Sequence, residues 1–97
     1  MSLDITSLLK QIQGEDARER ETALNVIYAH DEEAISSLID EFYAGVIEST
    51  GIVIIQLVSK IGGYEARQLL EDILQNPPPY ASWQETAQTG MTYNAWK

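Results

Sequence analysis

One histidine and three carboxylates stand together at His30-Asp31-Glu32-Glu33, residue types that suit a divalent cation or acid/base chemistry. Their spacing matches no defined ligand motif. Helix electrostatics explains them more simply: a histidine is favoured at a helix end, and acids are favoured in the first turn of the next helix. Asp40-Glu41 and Glu71-Asp72 fall on the solvent faces of amphipathic segments. A general acid or base needs a pocket that shifts its pKa, which a solvated face does not provide. No serine lies in a nucleophile motif, and a single histidine gives little support for a triad. Gly62-Gly63 lacks the following lysine and serine or threonine of a phosphate loop. The chain has no cysteine, which excludes disulfides, thiolate catalysis and thiolate zinc sites. The expectation is a protein that is not an enzyme, with no cofactor and no metal.

Two further stretches suit binding. Pro77-Pro78-Pro79-Tyr80 matches the Pro-Pro-x-Tyr pattern that WW domains read in an extended polyproline conformation. A rigid linker between the two helices of one hairpin is the favoured account of it. Tyr80, Trp83, Tyr93 and Trp96 crowd the last stretch of chain, and such side chains combine apolar area with a polar tip. Trp83, one helical turn before Ala87, is expected in the core. Trp96 is the interaction candidate, and self-association through this end is one of the readings.

The elements must carry these residues. The chain has 97 residues, enough for one domain with a modest core. Its 44% apolar and 22% charged composition is that of a globular chain. With 15 acidic against 6 basic residues the net charge is −9, which repels nucleic acid and anionic membrane surfaces and permits a basic protein partner. The longest apolar run, Ile52 to Ile55, is far short of the roughly 20 residues of a membrane helix. Met1 to Thr6 shows no signal-peptide pattern, so the expected location is cytoplasmic.

Ile5, Leu8, Leu9 and Ile12 are at helical spacing behind a capping Asp4, and Gly14 ends that segment. Asp16 precedes a second run with Ala23, Val26 and Ile27 on one face. Asp31-Glu32-Glu33 opens a third, with Ile35, Leu38, Ile39 and Phe42 inward, closed by Gly45. The fourth, ESTGIVIIQLVSKI from Glu48 to Ile61, is rich in β-branched residues, but its length and the stripe Val53, Ile54, Leu57, Val58, Ile61 favour helix. Gly62-Gly63 stops it. Tyr64 to Gln75 places Ala66, Leu69, Leu70, Ile73 and Leu74 together, and Asn76-Pro77-Pro78-Pro79 breaks the chain before a last helical stretch.

These segments repeat. RETALNVI (20–27) and QETAQTGM (84–91) share Glu-Thr-Ala. Leu8-Leu9, Leu38-Ile39 and Leu69-Leu70 are spaced by 30 and 31 residues, and Ala23, Ile54 and Ala87 by 31 and 33. Two helix types recurring with one period mark an array of stacked helical hairpins. GIVIIQLV, in the middle unit, is expected to be buried around more of its circumference than its counterparts. Gly90 in place of Val26 predicts a looser last copy.

The string LVSKIGGYEARQLLEDIL, Leu57 to Leu74, resembles the join between HEAT-like repeats of the phycobilisome-lyase type. Val58, Lys60, Ile61, Gly62, Glu65 and Ala66 occupy the matching places, and Arg20 and Ala23 match the second helix of the family's repeat. The resemblance implies an all-α fold, an alpha-alpha superhelix or short solenoid of about three hairpins (about 4–30, 31–62 and 63–97) in one domain, armadillo-like in build. It implies an inter-helix aspartate paired with the arginine of the second helix, here Asp16 with Arg20, without counterparts in the later repeats. It also implies that second helices line the inner surface. Arg18, Glu21, Asn25, Gln56, Lys60 and Gln88 then face solvent there, and with Trp96 form the candidate partner-binding set. The expected function is non-catalytic protein binding or scaffolding. The family name suggests an alternative, an accessory subunit of a bilin chromophore lyase.

Overall fold

A computed structural model describes residues 4–76 and 78–94 of the chain, with the side chains of Tyr93 and Asn94 excepted. These residues form six α-helices: α1 (Ile5–Ile12), α2 (Ala17–Ala29), α3 (Asp31–Ala44), α4 (Glu48–Ile61), α5 (Tyr64–Gln75) and α6 (Ala81–Asn94). There is no strand among them, so Glu48 to Ile61 is a helix despite its β-branched residues.

Local chemistry sets the boundaries. Asp4 caps α1, accepting from the Ser7 amide at 3.2 Å and the Ser7 hydroxyl at 2.8 Å. Those bonds hold the Asp4 carboxyl below its ordinary pKa. Asp16 caps α2 by accepting from the amides of Arg18 and Glu19. α3 begins at Asp31 with three acids in its first turn, where the positive end of the helix dipole favours them. Gly45 and Gly62 end α3 and α4 with φ of 110° and 79°, a region costly for any residue with a side chain.

The expected pairing of Asp16 with Arg20 does not form. The capping amides engage the Asp16 carboxylate, and Arg20 Nη1 instead donates to the Gly14 carbonyl at 2.7 Å. Arg20 thereby ties α2 to the turn before it.

Consecutive helices pack as neighbours in α1–α2, α3–α4 and α5–α6, and further contacts join α1 to α3, α3 to α5 and α4 to α6. The three repeat-related residues Ala23, Ile54 and Ala87 are all fully buried. α4 touches α3, α5 and α6, and Ile54, Ile55, Leu57 and Val58 are all buried on it. Burial of Ile55 beyond the expected stripe reflects these neighbours on several sides.

The closest seam joins α4 and α6, which run parallel: their first turns meet through Glu48 and Trp83, their C-terminal halves through Ser59 and Gly90. A Cβ added at Gly51 would stand inside the indole of Trp83, and one at Gly90 would collide with the Ser59 side chain. Both helices therefore approach through residues that lack a side chain. This overturns the expectation of a looser last copy: Gly90 is buried at a tight contact. No comparable seam joins α2 to α4. One period before Gly51 and Ser59 stand Arg20 and Tyr28, and one period before Gly90 stands Leu57. Bulk at those places keeps the earlier pair of helices from approaching in the same way.

Candidate protein-binding surface

Trp83 fixes one end of the α4–α6 seam. It is 6% exposed, with its ring centroid 4.8 Å from that of Phe42 and 4.9 Å from that of Tyr80. Its Nε1 donates to the Glu48 carbonyl at 2.9 Å, which satisfies a polar atom that burial would otherwise leave unpaired. The Ser82 hydroxyl donates to Glu48 Oε2 at 2.6 Å beside it. Trp83 thus belongs to the core, as its spacing from Ala87 predicts. Tyr80 is partly buried against the same cluster, so the ring of the Pro-Pro-x-Tyr pattern is engaged within the fold; Pro77 lies outside the described residues.

Above the seam a groove of about 450 Å³ opens between the two helices. Gln56, Ser59 and Lys60 line it from α4, and Glu85, Thr86, Thr89 and Gly90 from α6. The hydroxyls that line the groove are engaged as donors. The Ser59 hydroxyl donates to the Ile55 carbonyl at 2.7 Å, Thr86 to the Ser82 carbonyl at 2.7 Å, and Thr89 to the Glu85 carbonyl at 3.1 Å. Gln56, Lys60 and Glu85 are exposed, and their side chains form no described hydrogen bond or ion pair. The groove offers an amide, an ammonium and a carboxylate around small buried residues, which suits polar recognition and provides no nucleophile–base pair.

Of the candidate partner-binding residues, Gln56 and Lys60 are brought together in this groove. Gln88 is exposed and lines an adjoining depression with Leu74, Gln84 and Glu85, the last of which it shares with the groove. Arg18, Glu21 and Asn25 are exposed on α2. Trp96 lies outside the described residues. Glu85, Thr86 and Thr89 complete the groove and were absent from the candidate set. Thr89 follows Glu85 by four residues and Thr86 by three, and that spacing is the signal that places it on one face with each of them.

His30 Nδ1 lies 3.5 Å from Glu33 Oε2, one turn along, with both side chains about half exposed. No group of three or more histidines or carboxylates placed to hold a metal ion occurs among the described residues. On the α3–α5 seam the Tyr43 hydroxyl donates to Asp72 Oδ2 at 2.9 Å. Partial desolvation, together with that hydrogen bond and the Asp72 charge, pushes the phenol up to about 12. No helix among the described residues is long and apolar enough to cross a membrane. No protein-family model matches the chain, and neither a curated protein nor a solved structure matches it.

Proposed function

We propose that this chain is a non-catalytic protein-binding or scaffolding module of the cytoplasm, built as a short HEAT-like superhelix. Its second helices, α2, α4 and α6, present the recognition surface. The observation that supports this reading is the groove over the parallel α4–α6 seam, where Gln56 and Lys60 face Glu85 across a floor that includes buried Ser59 and Gly90. A rigid seam presents these groups with little ordering cost on binding, so polar contacts contribute more of their intrinsic free energy. Arg18, Glu21 and Asn25 extend the same kind of surface along α2. The partner is a protein, since the charge of −9 opposes nucleic acid and anionic lipid.

The test is affinity capture from the source cell with the wild-type chain and with an Arg18→Glu/Gln56→Glu/Lys60→Glu variant, bound proteins being identified and then purified for titration. A purified protein that binds the wild type and binds the variant at least about tenfold more weakly supports the reading. Equal binding to both removes the second-helix surface as the recognition face.

A further inference from the structure

Two adjoining hollows of about 420 and 440 Å³ follow the seam between α3 and α5, and Glu65 lines both. They share no lining residue with the α4–α6 groove. Apolar side chains line them within: Ile35 and Ile61 in the first, Ile39 and Leu69 in the second. Their charged lining is of one sign. Asp31, Glu32 and Glu65 line the first and Glu71 and Asp72 the second, with no lysine or arginine in either.

The hollows also carry two of the exposed large hydrophobic side chains among the described residues, Tyr64 at 76% and Tyr43 at 59%. Both rings are held in place from the seam itself: Gln68 Nε2 donates to the Tyr64 hydroxyl at 2.8 Å, and Tyr43 bonds Asp72. A large aromatic side chain that is both exposed and fixed is preorganised for contact with something outside the fold.

The carboxylates divide into two sets. Glu71 pairs with Arg67 at 2.9 Å, and Asp72 accepts from Tyr43 and from Asn76 Nδ2. Asp31, Glu32 and Glu65 engage no side chain in any described hydrogen bond or ion pair. They do not converge on a point where one metal ion could be held. Three acids that line one hollow without meeting at a point suit several cations, each meeting its own carboxylate. A second copy of this chain, at −9, would bring repulsion to the same face.

We propose that the α3–α5 seam docks a lysine- and arginine-rich extended segment of a partner protein. Its cationic heads reach Asp31, Glu32 and Glu65, and one of them lies over the ring of Tyr64. The aliphatic stems of lysine and arginine cover Ile35 and Ile61, since such side chains lay their methylenes on apolar surface while the charge stays in water. The exposed face of a tyrosine attracts a guanidinium or ammonium. The 14 residues of α3 give the seam a length of roughly 21 Å, enough for about six extended residues. This site is independent of the α4–α6 groove.

The probe is a fluorescein-labelled peptide of about twelve residues in which arginine and lysine alternate with serine, followed by fluorescence anisotropy at about 50 and 200 mM salt. Three variants are compared with the wild type: Asp31→Asn/Glu32→Gln/Glu65→Gln, the charge-matched Glu15→Gln/Glu19→Gln/Asp40→Asn, and Tyr64→Ala. The expected results are a loss of about tenfold or more for the first and less than about twofold for the second. Tyr64→Ala should lose roughly threefold, the effect of one cation–π contact at an exposed site. Circular dichroism melts confirm that each variant is folded. Equal weakening by the two triple variants would overturn the proposal by showing attraction to net charge alone. So would an absence of binding to the wild type at the lower salt.

Discussion

Gly51 of α4 lies directly against the indole of Trp83 of α6, with no room for even a methyl group between them. The tryptophan also packs against Phe42 and is held at its nitrogen by the Glu48 carbonyl, which opposes its retreat. Gly51→Ala therefore sets a gain in helix propensity, about 1 kcal/mol, against overpacking of a fixed ring, about 1–3 kcal/mol. The ring wins. Urea denaturation should show a net loss of up to about 2 kcal/mol, and emission from the displaced indole should move to longer wavelength. An unchanged midpoint would mean the seam can open without cost.

At the other end of the seam, Gly90 and Ser59 are coupled in the same way. Gly90→Ala alone should destabilise the protein, because the new methyl meets the Ser59 Oγ and Cβ. Ser59→Gly alone should also destabilise it, through backbone entropy and the lost bond to the Ile55 carbonyl. Together they should cost less than the sum, with a coupling of about 1 kcal/mol in a double-mutant cycle. Strict additivity would show that the two residues do not meet.

Replacing Asp16 by alanine removes acceptance from two amides at the start of α2. The expected cost is about 1 kcal/mol, as for N-caps generally. Because Arg20 does not pair with Asp16, Arg20→Lys should not reproduce the effect through charge. It should act only through the lost bond to the Gly14 carbonyl. Thermal melts of the two single variants and the double variant separate these contributions, and near-additivity is the expected result.

Tyr43 is expected to ionise at about 12, and Asp72→Asn should lower that only in part, because partial desolvation, the largest cause, remains; tyrosinate absorbance reads the change. The linkage has a definite sign. A folded-state pKa above the unfolded value means the folded chain holds the proton more firmly. The contribution is complete below about pH 10 and disappears as pH rises through about 12. Its size is small because Tyr43 is more than half exposed and solvent screens the pair.

Much of the helix layout follows from spacing and punctuation. Asp4 and Asp16 are caps, Gly45 and Gly62 are stops, and Ala23, Ile54 and Ala87 are buried. Those features are local or periodic, so a single sequence carries them. The α4–α6 seam was not legible, because a glycine within a helix reads as a weakness until its neighbour across the interface is known. Trp83 and Ser59 supply that neighbour from 32 and 31 residues away in sequence. For the same reason the groove was only half foreseen. Gln56 and Lys60 were placed on a solvent face, whereas Thr86 and Thr89 belong to a helix whose composition gives no sign of what it packs against.

The uneven seams also divide the molecule by resistance to opening. α4 is shared by α3, α5 and α6, so releasing any of these exposes its apolar surface, and the four helices gain protection from one another. α1 and α2 attach mainly through α3, with Gln13 bonded to Thr50 as one polar link to α4. Amide hydrogen exchange should accordingly run fastest in α1 and α2 and slowest around Ile54 to Val58, where the backbone is enclosed on several sides. The N-terminal hairpin then opens ahead of the rest, as a separate cooperative step.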